Sequence, residues 1–381
     1  MATAARAAAP PLHCGLPDEI LIWEILVRLP PKPLLRCRAV CRTWHHATSA
    51  RDFLLAHHGY QPSLSIVSSF EHDGPRYHSN NILTFDHQAA GAQLQPVVRL
   101  HHSIGVEASC DGLLILSQHM AGSGTYSFSV CNPVTRQHAS LQALSNFNIL
   151  RMYQHRPTGK YRLLLHGPLA KGKIGCYVCA LGSNQPPRFI GGPKIASALR
   201  FKTAALVRDS LHWYPVHHRS ESKLVLVFDT TIEMFRRMHA PACSSCSHHH
   251  RDILEMDDTI GIYSYNFAMK TVDIWVLQNY ESEVWNYKYL VELPAAQIGK
   301  RFGRWEDYWN VNVVSVDGDV FLLLNFGDWL LYVDTDGKLV DSFHRDGQHL
   351  YAWKHRLKQT LVSHTFFAAL EGHAVNDLPF T

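Results

Sequence analysis

The sequence predicts a small all-α segment at residues 14–58 followed by an all-β domain at 60–381, a β-propeller of about six to eight blades. Three observations carry this reading. An apolar run broken by prolines extends from Leu16 to Trp44. From Tyr60 onward, short runs rich in β-branched and aromatic residues alternate with turns built on Gly, Asp, Asn and Pro, and no long helical period intervenes. Within that array one unit recurs, an Asp-Gly turn opening an apolar strand, followed by a later strand that closes in a polar turn.

Composition sets the outer bounds. A chain of 381 residues with 46% hydrophobic and 18% charged residues is globular and long enough for one large or two ordinary domains. No apolar run approaches bilayer-spanning length, so no membrane partner is expected. Residues 1–13 are Ala-rich with a single Arg6 and lack the apolar stretch of a secretory signal, which predicts a disordered leader. The net charge of +4 is weakly basic, and Lys and Arg are scattered among Asp and Glu, which gives no footprint for nucleic acid. Nine cysteines, an odd number with no framework spacing, fit reduced thiols in the cytosol or nucleus.

The helical elements follow in order. Asp18 after Pro17 is placed to cap a helix running to Arg28, with Glu19 favourable in its first turn. Leu21, Ile25, Leu26 and Leu29 predict its apolar face, with Ile22 and Trp23 adding apolar area beyond it. Pro30, Pro31 and Pro33 end that helix. A second helix is expected through Leu34, Leu35, Cys37 and Arg38, and a third through Val40, Cys41 and Trp44. So few residues cannot enclose this much apolar surface, and the segment reads as a plug completed by another protein.

The strands are expected at 63–68, 81–85, 112–116, 126–131, 161–166, 175–180, 204–208, 224–228, 260–266, 272–276, 311–316, 320–325 and 329–334. The opening unit stands at Asp111-Gly112-Leu113 and Asp317-Gly318-Asp319, with Arg208-Asp209-Ser210 as a variant in which Ser replaces Gly. The closing unit stands at Cys131-Asn132-Pro133-Val134-Thr135, Val227-Phe228-Asp229-Thr230-Thr231 and Tyr332-Val333-Asp334-Thr335-Asp336. Two packed sheets with unrelated hairpins are the alternative, and the repeat favours blades.

The run Leu16, Pro17, Glu24, Ile25, Leu26, Arg28, Leu29, Pro30, Lys32, Leu34, Leu35, Arg36, Arg38, Val40, Cys41 and Trp44 resembles the F-box in its plant spelling. One departure is that the stretch from Leu16-Pro17 to Glu24 is a residue longer than the commonest form, which leaves the facing of Ile22 and Trp23 open. The β-region is similar to the F-box-associated domain at Ser109-Cys110-Asp111-Gly112-Leu113, at Cys131 to Thr135, at Leu224 to Thr231 with Glu233 and Phe235, and at Asp273-Ile274-Trp275. The resemblance implies a non-catalytic substrate receptor of a cullin-RING ubiquitin ligase. It would dock on a Skp-family adaptor, and through it cullin, by Leu16, Pro17, Leu29, Pro30, Leu34, Val40, Cys41 and Trp44, and hold an unknown protein target on the β-domain.

Other constellations point to bland roles. Cys243, Cys246, His248 and His250 form the one zinc-like grouping, but without a second spaced pair it reads as a polar loop. Cys176 and Cys179 lie three apart on an expected strand and so point to opposite faces. No Gly-rich phosphate loop and no Gly-x-Ser-x-Gly elbow occurs, so no cofactor is expected. The pairs His45-His46, His57-His58, His101-His102 and His217-His218 are expected at the surface, and Trp275, Trp285, Trp305, Trp309 and Trp329 in blade packing. The rival readings are a propeller enzyme, which needs carboxylates or His converging in the channel, and an F-box scaffold without ligase function.

Overall fold

The computed structural model describes residues 16–73, 76–88, 91–100, 104–120, 125–141, 144–168, 174–193, 203–214, 224–241, 249–303 and 309–370. The chain forms two compact units. The first comprises the described residues to Pro62 together with Gln359–Ser363; the second starts at Ser63, runs to Lys358, and resumes at His364.

In the first unit, helix α1 (Asp18–Ile20) continues as a π turn (Leu21–Ile25) and a 3₁₀ turn (Leu26–Arg28). Helices α2 (Pro31–Arg38), α3 (Arg42–Ser49) and α4 (Arg51–Tyr60) follow. Pro31 and Pro33 open α2, where a missing N–H costs nothing. Two expectations are corrected here. Pro17, not Asp18, occupies the N-cap and no side chain caps α1. Val40 and Cys41 precede α3 instead of lying in it, and the Cys41 Sγ accepts the Trp44 N–H at 3.4 Å. Helix α4 was not foreseen, because its charged and His-rich sequence carries a weak apolar face.

The second unit is a six-bladed β-propeller, each blade a four-stranded antiparallel sheet. Strands β1 (Ser63–Asp73), β2 (Arg76–Asp86) and β3 (Gln93–Leu100) supply three strands of blade 1. Blade 2 holds β4 (Ile104–Cys110), β5 (Leu113–His119), β6 (Tyr126–Asn132) and β7 (Gln137–Ser140). Blade 3 holds β8 (Asn148–His155), β9 (Lys160–Pro168), β10 (Ile174–Ala180) and β11 (Arg188–Gly191). Blade 4 holds β12 (Ala205–Val207), β13 (Ser210–Trp213), β14 (Leu224–Asp229) and β15 (Met234–His239). Blade 5 holds β16 (His249–Glu255), β17 (Ile260–Asn266), β18 (Thr271–Asn279) and β19 (Val284–Glu292), and is followed by helix α5 (Ala295–Phe302). Blade 6 holds β20 (Asn310–Val316), β21 (Asp319–Phe326), β22 (Trp329–Val333) and β23 (Leu339–Phe343). The last strand, β24 (Gln348–Lys358), returns to pair with β1 at Leu64↔Leu357 and Val67↔Ala352, and closes the ring before helix α6 (Phe366–Leu370). Strands β24, β4, β8, β12, β16 and β20 line the axis, since each is the sheet edge that approaches its counterparts.

Six apolar clusters hold the described residues of the ring, one at each blade junction. Ile66 and Ile82 meet Val106 and Leu114 between blades 1 and 2, and Tyr153 and Leu164 meet Leu211 and Trp213 between blades 3 and 4. A blade is covered on both faces, so Leu113 through Leu116 are all buried and the polar alternation of a half-exposed strand is absent. Cys176 and Cys179 separate as the strand period requires, the first into the junction of blades 3 and 4, the second against that of blades 2 and 3.

The repeating units now have a geometric cause. Asp111 and Gly112, Arg208 and Asp209, and Asp317 and Gly318 are pairs of adjacent residues with positive φ, the signature of two-residue type I′ turns. Ser210 does not replace Gly, as expected from the sequence; Asp209 takes that position and Ser210 begins β13. In the closing unit the side chains of Asn132, Asp229 and Asp334 accept backbone N–H groups two to four residues on, and Asn266 and Asn279 do the same in blade 5. Each turn then passes through a left-handed residue: Arg136, Glu233, Lys270, Glu283 or Gly337.

Gly337 combines a φ of 77° with a blade contact, because a Cβ placed there would run into the Glu292 carbonyl oxygen of blade 5. Gly337→Ala is therefore expected to cost about 3 kcal/mol in urea unfolding, from the left-handed backbone and the overpacking together. Gly347→Ala, with a φ of 70° but open space around it, should lose only the backbone part. Equal midpoints for the two variants would refute the close approach.

Candidate functional site

Within the helical unit, an apolar interior is set by Ile22, Leu26, Val27, Leu34 and Phe53, all buried. Polar struts fix the helices around it. Arg38 donates from Nε to Thr48 Oγ1 at 3.2 Å and from Nη2 to Thr48 O at 2.6 Å, while Thr48 Oγ1 donates to Trp44 O at 2.6 Å. His57 is fully buried and its Nε2 donates to Leu29 O at 2.8 Å, joined there by Gln61 Nε2 at 3.1 Å. Burial holds the His57 pKa below its ordinary value. Surface placement was expected for this histidine pair; His57 instead anchors the Leu29 turn, while His45-His46 is exposed and His101-His102 and His217-His218 lie outside the described residues.

The extra residue ahead of Glu24 is absorbed by the π turn at Leu21–Ile25, which rotates everything upstream of it relative to a plain α-helix. As a result the buried face is Ile22, Leu26 and Val27, and the expected member Ile25 turns outward. Exposed apolar side chains then gather on this unit: Leu16 at 53%, Val40 at 64%, and Ile20, Trp23, Ile25 and Leu35. Trp23 still rests one edge on Phe53, with ring centroids 5.6 Å apart.

Of the eight residues expected to face an adaptor, Leu16, Pro17, Pro30 and Val40 are exposed, and Leu29, Cys41 and Trp44 are half-buried. Leu34, the eighth, is wholly buried in the unit's own core. Ile20, Trp23, Ile25 and Leu35 are exposed apolar residues that the expected set did not include, and the one-residue longer spacing was the signal that could have found the first three. The ion pair on this helix between Glu24 and Arg28 at 2.9 Å is exposed and adds little.

The propeller axis carries a polar network that spacing along the sequence does not reveal. Lys354 on β24 pairs with Asp252 on β16, whose side chain is 1% exposed. Arg151 on β8 donates to His355 Nδ1 at 3.2 Å and to Glu255 Oε2 at 3.4 Å, and the same oxygen accepts the Leu206 N–H at 2.8 Å. Arg356 Nη2 donates to Glu255 O at 2.8 Å, and Ser109 Oγ to Arg356 O. Carboxylates and a histidine do converge in the channel, the feature that the propeller-enzyme reading needs, but each is engaged by a neighbour. His355 is held at a pKa of about 3 by burial and by the Arg151 charge. The arrangement braces blades 1 to 5 against one another.

The Glu233 of the closing unit has a comparable role between blades 3 and 4. Its carboxylate accepts Tyr153 Oη at 3.0 Å and pairs with Arg162 and Arg188, and these partners outweigh burial and lower its pKa. Trp309 packs on Phe326, Trp329 on Phe302, and Trp285 donates to His239 O at 2.8 Å, so these tryptophans serve blade packing; Trp305 lies outside the described residues. Of the zinc-like grouping, Cys243, Cys246 and His248 lie outside the described residues, and the backbone of His250 belongs to β16, so strand begins where a loop was expected. No helix among the described residues is long and apolar enough to cross a membrane.

Comparison with known proteins places both units. Residues 13–58 match the family model described as F-box-like, and residues 79–325 match that of the F-box associated beta propeller domain. F-box protein At5g49610 of Arabidopsis thaliana is 23% identical over 295 residues, covering 71% of this chain and 77% of that protein. The putative F-box/kelch-repeat protein At1g12870 of the same plant is 23% identical over 310 residues, covering 74% and 72%. Among solved structures, TolB from Acinetobacter baumannii aligns with a TM-score of 0.42 at 11% identity, over 81% of this chain and 71% of that one. With the model covering most of the propeller and the F-box-like segment ahead of it, the chain belongs to the F-box-associated β-propeller family of F-box proteins.

Proposed function

We propose that this protein is the substrate-recognition subunit of an SCF-type cullin-RING ubiquitin ligase, working in the cytosol or nucleus. The helical unit docks on a Skp-family adaptor, and through it cullin, while the propeller holds a protein target. The observation that carries this is the set of outward-facing apolar side chains on the F-box unit, Leu16, Ile20, Trp23, Ile25, Leu35 and Val40. Covering them with a partner gains roughly 25 cal/mol per Å² of apolar area, which a unit this small does not supply for itself. The receptor contributes proximity between target and ubiquitin-charged enzyme, so no catalytic group of its own is required.

The test is a pull-down of purified Skp-family adaptor with the full chain. Replacing Leu16, Pro17 and Leu29 together by Ala is expected to reduce adaptor capture to background while the propeller keeps its thermal transition. Val40→Asp should weaken capture without loss of stability. Leu34→Ala should destabilise the helical unit by about 2–5 kcal/mol, because its cost is internal packing. Full adaptor capture by the triple variant would sink the assignment.

A further inference from the structure

The junction of blades 4 and 5 carries two exposed arginines gathered about one tyrosine. Arg208, the first turn residue between β12 and β13, places its guanidinium 5.1 Å from the centroid of the Tyr280 ring. Arg236 on β15 lies 5.3 Å from the same centroid and donates from Nη2 to Tyr280 Oη at 2.9 Å. Both arginines are exposed, and among the described residues neither has a carboxylate partner. Nearby acids are engaged elsewhere: Asp209 with Arg156 at 2.6 Å, Glu233 with Arg162 and Arg188, and Glu283 with His239 at 2.6 Å. Glu281, beside Tyr280, is the exposed acid that partly offsets the two charges.

Two further features separate this place from a merely solvated surface. Arg208 has a φ of 50° in a type I′ turn whose partner is Asp209, not glycine, whereas the equivalent turns read Asp111-Gly112 and Asp317-Gly318. The first position of this turn is thus cationic where blades 2 and 6 carry an aspartate. Tyr280 in turn is locked by His212, whose Nε2 accepts the phenol O–H at 2.7 Å. Met234, on the same face of β15 as Arg236, and Ile232 in the adjoining turn are 62% and 64% exposed, so apolar anchors flank the cations.

We propose that Arg208, Arg236 and Tyr280, with Met234 and Ile232, form the docking surface for an extended acidic peptide segment of the target, carrying carboxylates at alternate positions around an apolar residue. Charge complementarity selects this occupant. The two guanidiniums lie within about 10 Å of each other, since each is about 5 Å from one ring. Side chains at i and i+2 of an extended chain are about 7 Å apart and suit such a pair of charges. Charge-assisted bonds from guanidinium to carboxylate supply the directionality. This assignment rests on the receptor reading above, because it names the class of target segment that the propeller would hold.

The experiment uses the full chain and a fluorescein-labelled synthetic peptide of alternating glutamate and serine with a central leucine, followed by anisotropy at low and moderate salt. Binding is expected, weakening as salt rises. Arg208→Glu with Arg236→Glu should weaken it about tenfold or more, and Arg208→Gln with Arg236→Gln should do so to a smaller degree at unchanged circular dichroism. Glu281→Gln should tighten it, and a glutamine-for-glutamate peptide should not bind. Binding insensitive to both arginine pairs would overturn the proposal, as would affinity confined to a phosphoserine version of the peptide. Adaptor capture measured on the same variants keeps the two readings apart: lost peptide binding with retained adaptor touches this surface, and the reverse touches the F-box.

Discussion

Asp252→Ala is expected to destabilise the propeller by about 3–5 kcal/mol, because it strands the Lys354 ammonium in the channel. Burial alone would pull the Lys354 pKa down; the Asp252 charge more than reverses this and holds it above the ordinary value. The pair joins β16 of blade 5 to β24 of blade 1, which are not neighbours in the ring, so it spans the channel instead of a junction. It also bears on ring closure, since β24 joins blade 1 through its pairing with β1. Removing both charges in Asp252→Ala with Lys354→Met should recover most of the loss, because a buried ion pair contributes little net stability over an apolar replacement. Urea unfolding of the two single variants and the double variant measures the coupling. Additive losses, with the double variant the least stable of the three, would show that the two side chains do not act as a pair.

That network also marks where reading the sequence stops. The strands beside the repeating turns were accessible because each hairpin is local, whereas the blade count stayed at about six to eight: Asp111-Gly112 and Asp317-Gly318 need left-handed φ, and Asn132 and Asp334 cap their own turns within four residues. The helical motif was accessible for the same reason, as prolines and spacing are local signals. What was not accessible depends on residues distant in the chain meeting around the axis. Arg151, Asp252, Glu255, Lys354 and His355 come from three strands, and nothing in their flanking residues marks them as facing one channel. The burial of Leu34 was hidden by a related limit: motif matching gives positions, while the inner or outer facing of each depends on how four helices pack. Glu233 was visible as part of a motif but its role was not, because its partners Tyr153, Arg162 and Arg188 lie in the preceding blade.

Lowering the pH from 6.5 to 5 is expected to reduce propeller stability by about 2 kcal/mol for each of two buried histidines, before the carboxylates begin to titrate. His212 donates from Nδ1 to Ala205 O at 3.3 Å and accepts from Tyr280 Oη, so both ring nitrogens are committed in the neutral form. Burial is the main cause that lowers its pKa to about 4, with the Arg236 charge adding to it. His355 accepts from Arg151 at Nδ1 and is lowered to about 3 by burial, then by Arg151, with Lys354 a further cation beside it. Both folded-state values lie below the unfolded value near 6.5, so the native state binds fewer protons than the unfolded chain. Stability is therefore fully present above pH 6.5 and is lost as pH falls, through about 4 for His212 and on toward 3 for His355. His57, lowered in the same direction, adds to the loss in the helical unit. Thermal midpoints taken from pH 8 to 5 should be flat above 7 and fall below 6.5, and His212→Gln should show a shallower fall from a lower starting point. An unchanged slope in that variant would remove His212 from the account, and a flat profile down to pH 5 would remove both. Because His212 also fixes Tyr280 between Arg208 and Arg236, the same titration should loosen the aromatic platform at the junction of blades 4 and 5 before the ring itself unfolds.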